Sequence, residues 1–139
     1  MSARSDEVYV SLCIWSKEIP SKDITQILGI TPDSTRDIGD IIRPGIISDT
    51  YFWEINSKEA DNVHLATHVK SIINFIKPNI DNFSKLGKAR IWLSCAMYVN
   101  QGPSAPSVHF DTESLTFLSK INAEIDVDIY CMGSCNTLE

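Results

Sequence analysis

Five stretches of this chain split into two chemically unlike rows when every second residue is taken. Side chains alternate across a β-strand, so a period of two predicts a sheet whose faces differ in kind. One set of rows is almost purely apolar: Val10, Leu12 and Ile14; Trp53 and Ile55; Ile91, Leu93, Cys95 and Met97; Val108 and Phe110; Ile125, Val127, Ile129 and Cys131. The other set is aromatic and polar: Tyr9, Ser11, Cys13 and Trp15; Phe52 and Glu54; Trp92, Ser94, Ala96 and Tyr98; Ser107 and His109; Asp126, Asp128 and Tyr130. The first set predicts a core and the second an open surface.

Helical patterns between the strands match the apolar rows. Pro20 and Ser21 open a helix with Ile24, Ile27 and Leu28 as its stripe, and Gly29 closes it. Residues 62–76 carry Leu65, Val69, Ile72, Ile73 and Ile76 at spacings of three and four, ended by Lys77-Pro78, with a short turn over 81–86. Asp111 or Thr112 caps a third helix, predicted to turn Leu115, Leu118 and Ile121 inward. The strands are read at 8–15, 50–56, 88–99, 107–110 and 123–132. The breaker-rich run from Asn100 to Pro106 predicts that 107–110 returns antiparallel, and 30–49 reads as a long irregular connection. The order is therefore β-α-β-α-β-β-α-β. This is an α+β fold: a mostly antiparallel five-stranded sheet with helices packed on one face, and a ferredoxin-like βαββαβ unit from the second strand onward.

The chain has 139 residues, 12 of them basic and 18 acidic, for a formal charge of −6. That length fits one domain, read as 7–132 with short tails at 1–6 and 133–139. The acidic balance disfavours nucleic acid and anionic membranes, which call for clustered Lys and Arg. The polar start Ser2-Ala3-Arg4-Ser5-Asp6-Glu7 lacks the apolar region of a signal peptide, and no apolar run is long enough to cross a bilayer. A cytoplasmic protein is the expectation. Four cysteines invite a zinc reading, but Cys131 and Cys135 have the wrong spacing for a knuckle. Strand parity also sets Cys13 on the face opposite Cys95 and Cys131, so no metal site and no cofactor are expected.

Few residues suggest chemistry. Asp126 and Asp128 share a strand face about 7 Å apart, and with Glu54 could hold a hard cation or act as acid and base; a solvated acidic face is the simpler reading. His64 and His68 lie one helical turn apart, but Leu65 stands where a zincin needs Glu, so solvated helix-face histidines are expected. His109 falls on the open face without a nucleophile beside it. No phosphate loop, dinucleotide fingerprint or hydrolase elbow occurs.

The motifs Tyr9-Val10-Ser11-Leu12-Cys13-Ile14-Trp15-Ser16, Ile27-Leu28-Gly29-Ile30-Thr31-Pro32, Gly39-Asp40, the Trp53 strand and Asp126-Val127-Asp128-Ile129-Tyr130-Cys131 resemble a bacterial family, domain of unknown function 4279. The resemblance runs from about Tyr9 to Cys131. It implies a compact α+β protein, and it carries no catalytic residue across.

Two functional readings follow. In the first, a non-enzymatic module, immunity-type or self-associating, meets a protein partner or a second copy through the open face. Trp15, Trp92, Tyr98 and Tyr130 are its anchors, Glu54, Asp126 and Asp128 steer a basic surface, and His109 lies among them. In the second, the same face floors a small-ligand or small-enzyme pocket walled by 30–49 and 100–106, with His109 and Asp128 as acid and base. A third arrangement would have those loops fold over the face as a minor core.

Overall fold

The computed structural model describes residues 6–100 and 106–132. In chain order the elements are β1 (Glu7–Ser16), α1 (Ser21–Leu28), β2 (Ser34–Arg36), β3 (Ile41–Arg43), β4 (Ile46–Ile47), β5 (Tyr51–Asn56), α2 (Leu65–Ile76), a 3₁₀ segment (Lys77–Leu86), β6 (Arg90–Val99), α3 (Thr112–Lys120) and β7 (Ala123–Cys131). Five strands form the main sheet in the order β2-β5-β1-β6-β7, and β3 pairs with β4 as a separate hairpin. All neighbours in the main sheet run antiparallel except β6 and β7. The α+β class and the mostly antiparallel five-stranded sheet hold, but the ferredoxin-like unit does not form.

Its missing piece is residues 107–110, which carry no strand. Val108 is exposed there, and only Phe110 packs partly against the core. With that strand gone, α3 links β6 to β7 as a crossover, and a crossover leaves the two strands parallel. The fifth strand comes instead from 30–49. That stretch is not irregular: it supplies the edge strand β2 and the hairpin β3–β4.

The core lies between the helices and one sheet face. Val8, Val10, Leu12 and Ile14 of β1 join Trp53, Ile55, Ile91, Leu93, Cys95 and Met97 in a single buried cluster with Ile24, Leu28, Leu65, Ile72 and Ile76. Trp53 is fully buried, and its Nε1 donates to Thr25 Oγ1 at 3.0 Å, tying β5 to α1. The inward face of α3 is Ser114, Phe117 and Leu118, with Ile121 just beyond; Leu115, expected inward, is exposed. Residues at i, i+3, i+4 and i+7 share a helix face, and this set has that spacing where the expected one did not.

Gly29 ends α1 with φ +72°, a conformation that favours glycine. Asn79 Nδ2, on the 3₁₀ segment, donates to Leu28 O at 2.9 Å, and a Cβ on Gly29 would sit 3.3 Å from that nitrogen. The turn therefore locks α1 onto the segment after α2.

Candidate functional site

The strand register lays the second set of rows across the opposite sheet face. Arg36 aligns with Phe52, Trp15 and Arg90, and Ser34 aligns with Glu54, Cys13, Trp92 and Glu124. Next come Asn56, Ser11, Ser94 and Asp126; then Tyr9, Ala96 and Asp128; then Glu7, Tyr98 and Tyr130. The helices pack on the other side, so these residues meet solvent or each other.

Two aromatic clusters form. At one end Phe52 and Trp92 lie 6.1 Å apart between ring centroids, with the Arg36 guanidinium 5.0 Å from the Phe52 ring and that of Arg90 4.5 Å from Trp92. At the other end Tyr98 stacks on Tyr130 at 5.0 Å and meets Tyr9 edge-on at 5.8 Å. Ser11, Ser94 and Ala96 lie between them, small enough to leave the centre low. Tyr9 is 45% exposed; its hydroxyl donates to Glu7 at 2.6 Å, with Asp61 at 3.3 Å, and these carboxylates together with partial desolvation push its pKa up to about 12.

Charge lines the face. Arg90 donates to Glu124 at 2.8 Å and to Asp126 at 3.4 Å, exposed pairs that solvent and salt screen. Asp128 has no ion pair among the described residues. Glu54 accepts a weak bond from the Cys13 thiol at 3.9 Å. It lies three strand spacings from β7, about 14 Å, too far to share a cation with Asp126 or Asp128. No group of three potential metal ligands occurs among the described residues.

Seven of the eight expected site residues, Trp15, Glu54, Trp92, Tyr98, Asp126, Asp128 and Tyr130, share this face by register. His109 is not placed there by register. It lies in coil, so strand parity no longer orients it, and it bonds to no described carboxylate. The strand parity that set His109 beside Asp128 is lost with that strand.

Three features were missed. Arg36 and Arg90 set cations on the aromatic rings, and Arg90 was legible because it shares the parity of Trp92. The hairpin exposes Ile41, Ile42, Ile46 and Ile47, with Ile38 just before it, where apolar side chains had no expected place. Its signal was two Ile pairs flanking Arg43-Pro44-Gly45. The hairpin stands at the β2 edge, where Asp40, Ile41 and Ile42 face Arg36, Phe52 and Glu54 across a recess of about 550 Å³.

Residues 6–132 match the model of a family described as "Domain of unknown function (DUF4279)". The chain belongs to the DUF4279 family. No curated protein and no solved structure matches it. No helix among the described residues is long and apolar enough to cross a membrane.

The remaining histidines of this DUF4279 chain are not a pair. His64 is exposed before α2, whereas His68, expected to be solvated, is 2% exposed, with Nδ1 2.7 Å from Ser57 Oγ and Nε2 without a hydrogen-bond partner. Burial, opposed by nearby Glu59, holds its pKa below the ordinary range. The folded ring therefore resists the proton that the unfolded chain takes up below a pH of about 6.5, so stability is full above that pH and falls as pH drops through it. The thermal midpoint is expected to decline between neutral and mildly acidic pH, and less steeply in His68→Gln. An identical slope in both proteins would remove His68 as the cause.

Proposed function

We propose that this chain is a non-enzymatic binding module that takes a protein partner on its open sheet face. The observation that supports it is two aromatic clusters left without a covering helix, bordered by Glu54, Glu124, Asp126 and Asp128. Contiguous exposed aromatic surface is characteristic of interaction sites, and aromatic anchors supply most of the energy in such interfaces. Trp15, Trp92, Tyr98 and Tyr130 serve as anchors. The acids select a partner whose contact surface is basic among apolar residues, and they repel phosphate, which argues against nucleic acid.

Trp92→Ala tests this reading. Trp92 is only half-buried, so the variant is expected to fold while losing the partner that wild-type protein retains from an extract of its source cells. Retention should also weaken with salt. Identical retained species and identical sedimentation for both proteins would sink the proposal.

A second reading has one observation in its favour. The recess beside the hairpin, about 550 Å³, is of small-molecule size. A bound metabolite in native mass spectra, lost in Phe52→Ala, would move the reading there.

A further inference from the structure

The two borders of the main sheet are finished differently. β2 is three residues long, a blunt border that offers little template for pairing. β7 runs for nine residues, and its pairing with β6 is unbroken from Ile91↔Ala123 to Val99↔Cys131. It has no bulge, no proline and no lysine, devices that often close sheet borders to strangers, and the charges it does carry, Glu124, Asp126 and Asp128, are all acidic. Among the described residues, nothing hydrogen-bonds to the outer side of its backbone. Ile129 and Tyr130 on it are 56% and 45% exposed.

The side chains say which strand fits. Glu124, Asp126 and Asp128 point to the open face, while Ile125, Val127 and Ile129 point to the helix side. A second copy is disfavoured, because in-register antiparallel pairing of β7 with itself sets Asp126 opposite Asp126 or Asp128. Like charges directly opposed across a strand pair are destabilising. Arg90 sets one positive charge against Glu124 and Asp126, so with Asp128 the three acids of β7 keep a net negative charge for incoming cations.

We propose that β7 is a strand-accepting edge: it takes an extended segment of a partner protein whose Lys or Arg residues alternate with apolar ones. The basic residues face Glu124, Asp126 and Asp128, and the apolar ones extend the core side past Ile129. This rests on the open face being the binding side, and it adds the mode of attachment, main-chain hydrogen bonds along β7.

The test uses the full chain and two peptides of one composition. The first alternates Lys with Val and Thr over nine residues, matching the length of β7, and the second gathers its lysines in one block. The alternating peptide is expected to bind about ten-fold tighter, as two or three cross-strand charge pairs allow. It should also slow amide exchange at every second residue of β7. Asp126→Lys/Asp128→Lys should reverse the preference toward a peptide alternating Glu with Val and Thr. Equal affinity for both lysine peptides, binding without β7 protection, or no binding would overturn the edge. If Trp92→Ala still abolished retention of the cellular partner in that event, the open-face reading would survive alone.

Discussion

Trp53→Ala is expected to lower the thermal unfolding midpoint by roughly 10–15 °C, since large-to-small changes of buried aromatics cost about 3–5 kcal/mol and each kcal/mol moves a chain of this size by about 3 °C. Trp53 has no exposed surface, and it joins β5 to α1 through Thr25 as well as filling the core. Trp53→Phe separates the two contributions. It keeps most of the apolar volume and removes the donor to Thr25 Oγ1, so its loss should be clearly smaller. Trp92→Ala supplies the contrast, because a half-buried ring on the open face surrenders less burial. Circular dichroism melts of the three variants check this. A drop of only a few degrees for Trp53→Ala, or equal drops for Trp53→Ala and Trp92→Ala, would mean that the faces of the sheet are assigned the wrong way round.

The second large effect is chemical. Cys13 and Cys95 are buried, and burial pushes both thiols up to about 12; Glu54 adds to the rise at Cys13, and Asp126 then Asp128 to that at Cys95. Thiolate is the reactive species, and at pH 8 such a thiol is ionised about a thousand-fold less than an ordinary exposed cysteine. Cys131 is exposed. Timed alkylation with iodoacetamide, followed by peptide mapping, should therefore mark Cys131 long before Cys13 or Cys95. Glu54→Gln should quicken Cys13 and leave Cys95 unchanged, because only Cys13 faces that carboxylate. Labelling of Cys13 alongside Cys131 in the wild-type protein would contradict the cover that Glu54 and Trp92 give it.

Most of the core could be read from the chain because its residues keep strict periods, two along β1 and β6, three and four along α2. The same spacing should have placed His68. Leu65, His68, Val69, Ile72, Ile73 and Ile76 form one helix face, and a polar name in an apolar stripe concealed a buried ring. Ser114 concealed the phase of α3 in the same way, drawing Leu115 inward on paper. The strand at 107–110 failed for a different reason. With β1 on one side, β6 has one free edge, and nine residues of β7 compete for it against four. Local alternation says nothing about that contest. The isoleucines from 38 to 47 misled in the opposite sense, since exposed apolar residues in a small hairpin look like connection when a core is being sought. On the open face, strand parity brought seven of the eight residues together, while Arg36 came from a strand that local pattern did not reveal.

The first strand of the chain is also the central one. β1 is flanked by β5 and β6, and its pairing with β6 joins Trp15 to Arg90 and Glu7 to Tyr98. During synthesis Trp15 leaves the ribosome with neither neighbour made. At about 5–20 residues per second, its partner Arg90 follows roughly 4–15 seconds later. Until β5 is made Val8, Val10, Leu12 and Ile14 are an apolar strand with both edges open, and the edge that β6 covers stays open for the whole interval, the kind of segment that seeds aggregation. Contacts this distant in sequence also slow the search for the native state, toward milliseconds and seconds. The nascent chain is thus most vulnerable before β6 is complete, and a holdase that covers β1 would raise the yield of folded protein more than one acting after release.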